Sequence, residues 1–280
     1  LWGCENRQWE LHQFRSRYHR EEVTNNRGGW AKLEFSKTEH LTSEGYFTYL
    51  KEFKGGHSLN AVAGYSYFEK NGENFNAENY DFGVEGLKYW DLESGSYLTD
   101  GKAKMGSKKD ITERLFALYA RANYSYNDKY MVTATIRHEG SSKFAAENRW
   151  GNFWALSGGW RVSGEEFMKE FDWVNDLKIR FGYGVTGNND FDASYMANTL
   201  SRDQYWMLPS GSWAFVYGPS SNVNPYLGWE EKKEWNIGVD YSFFGNRMYG
   251  KFDYYRRKID GMIYEVNVPQ PPYPNGKQWQ

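Results

Sequence analysis

The sequence predicts an all-β chain. Within that class it favours an antiparallel, up-and-down segment of a transmembrane β-barrel over a soluble β-sandwich. Three observations carry this. First, 19% of the residues are aromatic and 29 of the 280 are glycine, a mixture that suits strands and turns better than helices. Second, apolar and polar residues alternate with a period of two over runs of about ten residues. Tilted strands of that length cross the hydrocarbon of a bilayer. Third, the connections between these runs are alternately short and long. In an up-and-down sheet this leaves one end trimmed and the other carrying large loops, the pattern of short periplasmic turns and long extracellular loops.

Taken in order, residues 29–37, 45–54 and 57–68 read as strands, the last two joined by the tight turn Lys54-Gly55-Gly56-His57. A long connection, 69–113, follows. In 115–126 the even positions are apolar (Phe116, Leu118, Ala120, Ala122, Tyr124, Tyr126) and the odd ones include Arg121, Asn123 and Ser125. After the tight turn at 126–128, the run 130–139 repeats the parity with Tyr130, Val132, Ala134 and Ile136 against Thr133, Thr135, Arg137 and Glu139. The long, polar, aromatic-studded connection 138–151 leads to 152–162, where Trp154, Leu156, Trp160 and Val162 alternate with Ser157 and Arg161. A moderate connection, 163–176, has room for a short amphipathic helix. In 177–185 the apolar set becomes odd: Leu177, Ile179, Phe181, Tyr183 and Val185 against Lys178 and Arg180. The longest connection, 186–229, precedes Trp235, Ile237, Val239, Tyr241 and Phe243, which alternate with Asn236, Asp240 and Ser242. The short turn Phe244-Gly245-Asn246 then leads to Met248, Phe252 and Tyr254, opposite Lys251 and Asp253, and a further strand is expected near Met262. The total is roughly nine or ten strands.

A soluble sandwich also alternates, because one face of each sheet is buried. Strand length argues against it, as does the polar parity, which carries Arg121, Arg137, Arg161 and Arg180. A water-filled lumen suits these arginines, and they are expected to face it. Aromatic residues near strand ends fit interfacial girdles. No run of about 18 apolar residues exists, so no transmembrane helix is expected, which leaves a barrel untouched.

Other classes find little support. With 34 basic and 36 acidic residues and no basic block, nothing marks a nucleic-acid surface. Cys4 is the single cysteine, which excludes an internal disulfide framework. The five histidines lack the spacing of a helical metal site, so no metal or cofactor is expected. Ser141 and Ser142 lack a nucleophile elbow, and no grouping of nucleophile, base and oxyanion donors suggests an enzyme.

Four segments carry a family resemblance. "RANYSYNDKYMVTATIRHEGSSKFAAENRWGNFWALSGGWRVSGEEFMK" (121–169) and "LKIRFGYGVTGNNDF" (177–191) resemble the SusC-like family of TonB-dependent outer-membrane transporters. So do "LKEFKGGHSLNAVAGYSYFEKNGENF" (50–75) and "NPYLGWEEKKEWNIGVDYSFFGNRMYGKFDYYRRKIDGMI" (224–263). The likeness runs in register over residues 30–280, and residues 1–29 match less clearly. Two local departures, Glu139 where the family has Asp and Asn152-Phe153-Trp154-Ala155 where it often has Tyr-Phe-Pro-Ser, leave the alternation intact.

The resemblance implies that residues 1–280 are one partial barrel domain, part of a wall of about 22 strands, with the family's plug and last strands expected outside this sequence. It implies residence in the outer membrane, contact with its lipid, and import of oligosaccharides or peptides. It also implies a SusD-like surface lipoprotein as lid and energy supplied by TonB through the plug. The alternatives are a soluble carbohydrate-binding β-sandwich and a passive pore.

Within this frame the loop 186–229 is the best candidate for ligand or lid contact, through Tyr205, Trp206, Trp213, Tyr217 and Trp229: flat aromatic faces suit sugar rings, and neighbouring amides suit hydroxyls. Gly140, Ser141, Ser142, Asn148, Arg149 and Trp150 read as a structural loop motif, with Gly-Ser-Ser making a sharp turn and Phe144 and Trp150 packing the loop down.

Overall fold

The structure, a computed structural model, describes residues 1–192, 200–219, 222–270 and 277–279. Its strands are β1 (Trp2–Arg15), β2 (Trp30–Phe53), β3 (His57–Tyr80), β4 (Lys104–Lys109), β5 (Glu113–Tyr126), β6 (Tyr130–Ser141), β7 (Trp150–Arg161) and β8 (Val174–Asn188). There follow β9 (Leu200–Met207), β10 (Trp213–Pro219), β11 (Glu230–Phe243), β12 (Met248–Asp260), β13 (Glu265–Asn267) and β14 (Lys277–Trp279). One sheet runs in the order β1-β2-β3-β5-β6-β7-β8-β11-β12, with β4 paired to β3; β9–β10 and β13–β14 form separate two-stranded sheets. Neighbours in the large sheet are consecutive along the chain except where β4 and the β9–β10 hairpin intervene, as in an up-and-down wall. The path is open: β1 and β12 are its two ends.

Several elements differ from the sequence expectation. Residues 29–37 and 45–54 belong to one continuous strand, β2, and β3 runs on to Tyr80. The cause lies in their side chains. The middle of β2, residues 36–44, is polar at most positions of both parities and carries ion pairs such as Lys37–Glu39, so it has no apolar period to read. The same holds for β1, where most side chains are exposed. The connection after β3 folds back as β4, and the long connection before β11 contains the β9–β10 hairpin. Between β7 and β8, where the sequence left room for a short amphipathic helix, the chain forms two 3-10 turns, Val162–Gly164 and Glu166–Met168. This segment is pinned at its ends by Arg161 N–H to the Lys129 carbonyl and by Phe244 N–H to the Trp173 carbonyl.

The residues divide into two compact units, to each of which β2 and β3 contribute a stretch. The smaller unit comprises residues 2–42 and 68–113. It holds β1, the outer parts of β2 and β3, β4 and a short helix, Arg20–Thr24, capped by His19. Glu22 of that helix is fully buried and pairs with Arg27 at 2.8 Å. Arg15 lies over the Trp30 ring and Arg27 over that of Tyr80, each at 4.5 Å.

The larger unit contains residues 43–67 and 114–280 with Leu1. Its sheet has two chemically distinct faces. Tyr124, Val132, Gly158, Phe181, Ile237 and Tyr254 form one cross-strand row. Tyr126, Tyr130, Trp160, Ile179, Val239 and Phe252 form the next. These side chains are open to their surroundings: Val132 is 45% exposed, Phe181 50%, Ile237 44% and Phe252 68%. A sandwich would bury this stripe under a second sheet. Here a single layer presents it outward, as a wall facing lipid does. The opposite parity gives rows such as Asn123, Thr133, Ser157, Gly182, Asn236 and Tyr255.

The tight turns gather at one end. Asn127 and Asp128 both take positive φ, as do Gly55 and Gly56, the conformation that two-residue hairpins need and that Asn, Asp and Gly tolerate best. Neighbouring turns are sewn together: Asn127 N–H donates to the Gly56 carbonyl at 2.7 Å, and Gly245 N–H donates to the Asn175 side chain at 2.7 Å.

Candidate functional site

The polar face of the larger unit carries an ordered charge lattice. Arg180 spans three strands: its guanidinium donates two bonds to Asp240 on β11, at 2.8 and 2.9 Å, and one to Asp253 on β12, at 2.9 Å. Arg137 makes a bidentate pair with Glu139 and reaches Ser66 at 3.3 Å. Arg161 pairs with Asp176 at 3.2 Å, and Asp176 also accepts from Ser163. Arg121 is exposed on the same parity, opposite Thr135. The ladder thus places all four predicted arginines on the polar side. The acids that hold them, Asp240 and Asp253, stand in the polar sets of neighbouring runs; only register shows that they converge on one guanidinium.

At the short-turn end, Glu165 gathers three donors: the Tyr130 hydroxyl at 2.7 Å, the Trp160 indole at 3.0 Å and the Lys129 ammonium at 3.3 Å. The Tyr130 hydrogen bond, then that of Trp160, holds its carboxyl below the ordinary carboxylate value.

At the other end the loops share a small core. Phe144, Phe191 and Leu227 are buried together, with Trp229 and Ile263 packed against them. Ser141, 1% exposed, accepts from the Asn189 side chain at 3.2 Å. Ser142 accepts from Arg114 N–H at 2.7 Å. Lys143 caps the Asn189 and Phe191 carbonyls at 3.3 and 2.7 Å. Gly140 lies opposite Trp150, whose ring would collide with any added Cβ at 2.7 Å. Trp150 itself is half-exposed and stacks flat on His138 at 4.8 Å. Asn148 closes a turn by donating its N–H to the Ala145 carbonyl, and the Arg149 carbonyl accepts from both Ser141 N–H and the Trp229 indole. Sequence reasoning missed Phe191, Leu227 and Ile263, which lie far apart in the chain and have no periodic pattern to join them.

The five aromatic residues expected at the ligand or lid divide into two groups. Trp229 is turned into the loop core, 5.0 Å from the Phe144 ring and 5.1 Å from that of Phe153. The other four stand on the β9–β10 hairpin and are 57–67% exposed. Its pairing puts Trp213 opposite Met207, Phe215 opposite Tyr205 and Ala214 opposite Trp206. Side chains alternate along a strand, so Tyr205, Trp213 and Tyr217 share one face with Phe215, whose ring is 4.4 Å from that of Tyr205, and Trp206 stands on the other. Phe215 was also missed; the alternation Trp213, Phe215, Tyr217 was its signal.

Comparison with known proteins joins these features. A model of the family described as TonB dependent receptor-like, beta-barrel, matches residues 3–280, which takes in β1. TonB-dependent receptor P39 of Formosa agariphila is 34% identical over 238 residues, 81% of this chain and 21% of the relative. TonB-dependent receptor SusC of Bacteroides thetaiotaomicron is 33% identical over 172 residues, 61% of this chain and 17% of the relative. The RagAB peptide importer in its closed-closed state shares the fold, with a TM-score of 0.83 at 20% identity, covering 100% of this chain and 30% of that one. The chain spans about a fifth of the length of the curated relatives it matches. That family consists of transporters and receptors rather than enzymes. The open sheet, its lipid-facing stripe and the match over nearly every residue lead to one conclusion: the chain belongs to the TonB-dependent receptor β-barrel family of the outer membrane, of which it forms a stretch of wall with its outer loops.

Proposed function

We propose that this chain is the wall and cargo-facing loop region of an active nutrient importer of the SusC type, taking up oligosaccharides or peptides. Its part in that process is to line the passage and hold cargo. Energy comes from TonB acting through a plug domain, and a SusD-like surface lipoprotein closes over the loops. The observation that carries the reading is the two-faced single sheet: apolar side chains exposed on one side, and a hydrogen-bonded arginine–aspartate lattice on the other. The relatives add direction, since SusC is a TonB-dependent receptor and RagAB a peptide importer by name.

In this reading Tyr205, Trp213 and Tyr217 form the cargo-contacting face of the hairpin, Trp206 faces the lid, and Trp229 with the Gly140–Trp150 loop supplies the rigid base. Arg121, Arg137, Arg161 and Arg180 line the lumen. The test is uptake of labelled oligosaccharides and labelled peptides by cells carrying the full-length gene, with and without a functional TonB. Uptake of one cargo class that needs TonB and falls at least tenfold in a Tyr205→Ala/Trp213→Ala double variant supports the reading. Uptake of neither class, or uptake independent of TonB, sinks it.

A further inference from the structure

The lipid-facing side of the larger unit is not uniformly rough. Across β2, β3, β5 and β6 it holds a groove of about 600 Å³. Ala61, Ala63, Ala120, Ala122 and Ala134 floor it, and Phe47, Tyr49 and Ile136 wall it. Beyond Ile136 the wall continues on β7, because Ile136 pairs with Trp154 and Ala134 with Leu156. Elsewhere on this face the rows carry mostly Tyr, Val, Trp, Phe and Ile, with Gly158 an exception. The depression comes from five methyl groups where neighbours have rings and branched chains.

The groove opens toward a cluster of a different kind. Ala122 lies two residues from Tyr124, about 7 Å along the strand. The Tyr124 hydroxyl is 2.6 Å from His57 Nδ1, His57 stacks on Tyr126 at 4.5 Å, and Tyr126 stacks on Tyr130 at 6.2 Å. Apolar rings with polar tips belong at the level of lipid headgroups. This cluster sits at the short-turn end, where Asn127 N–H meets the Gly56 carbonyl.

We propose that the groove seats one acyl chain of a phospholipid of the periplasmic leaflet, with its glycerol and headgroup at His57 and Tyr124. The groove is continuous with the lipid-contacting face, its lining is mainly carbon, with Thr48, Arg121 and Thr135 also contributing, and its mouth is at headgroup height. An alanine floor between aromatic and branched walls gives the chain dispersion contacts on three sides, which a flat face does not offer.

The test uses the full-length protein, purified in detergent, incubated with phosphatidylethanolamine and weighed by native mass spectrometry. Heat-modifiable migration on gels establishes that each variant is folded. The wild type is expected to keep one more phosphatidylethanolamine than Ala63→Phe or Ala122→Phe, with at least a fivefold fall in the lipid-bound fraction, and Ile237→Phe, on the same face but away from the groove, keeps it. Ala122→Leu gives the same reading if the larger ring prevents insertion. Equal retention by wild type and filled variants overturns the proposal. So does preferential retention of lipid A, which belongs to the other leaflet, or conversion of a dimer to a monomer on filling, which makes a second copy the occupant.

Discussion

The indole N–H of Trp229 meets the backbone carbonyl of Arg149 at 3.0 Å. This bond crosses from the start of β11 to the loop before β7 and ties together two connections that the sheet leaves free. Around it Phe144, Phe191 and Leu227 make an apolar knot. The loop end is therefore a packed layer in its own right.

Phe144→Ala is expected to loosen that layer without opening the wall. The ring is 2% exposed, and removing such a side chain costs about 3–5 kcal/mol. Hydrogen exchange should show the loss in residues 141–150 and 189–192, and β6–β8 should keep their protection. Uniform loss across the strands would show that the knot is part of the wall.

Ile237→Arg tests the two faces of the sheet. A cation placed on the lipid side near the midplane costs about 2–4 kcal/mol. Ser157→Arg, on the polar side two strands away, is expected to cost less than about 1 kcal/mol. Equilibrium unfolding in lipid vesicles gives both values, and equal costs would contradict the assignment of the faces.

Arg180→Ala leaves Asp240 and Asp253 facing each other. Both are about one-third exposed, which limits the effect to about 1 kcal/mol. Adding Asp253→Asn should recover part of the loss. A double variant no better than the single one would show that the guanidinium acts by packing alone.

Glu165 predicts a pH dependence at the periplasmic turn. Its folded carboxyl ionises below its ordinary value of 4.5. The stabilisation is therefore fully present above that value and is lost as pH falls through the lower, folded one. The gap in melting temperature between wild type and Glu165→Gln should be constant from neutral pH down to about pH 5 and close in more acid solution. A gap that widened with acidification would refute the sign.

Much of the wall was legible in the sequence, because lipid on one side and water on the other impose a strict two-residue period. Tyr130, Val132 and Ile136 announce their face, and Asn127-Asp128 its turn. Where polar residues fall on both parities of a strand the signal disappears, as in residues 36–42 of β2 and in much of β1. That Arg121, Arg137, Arg161 and Arg180 share the polar parity could be read from the alternation, whereas the convergence of Asp240 and Asp253 on Arg180 required register. Trp229 and Trp213 looked alike as loop aromatics. Their difference arises from partners distant in sequence: Trp229 meets Phe144 and Phe153, and Trp213 stands in a hairpin that pairs with itself.

That self-pairing has an engineering consequence. The β9–β10 sheet exchanges no ladder bonds with the large sheet among the described residues, and β8 and β11 pair with each other from Glu230–Asn188 onward. The hairpin is thus a replaceable cassette. Another sequence grafted between its stems can alter what the surface recognises while the foundation keeps its alignment, so diversification at this spot carries little folding risk.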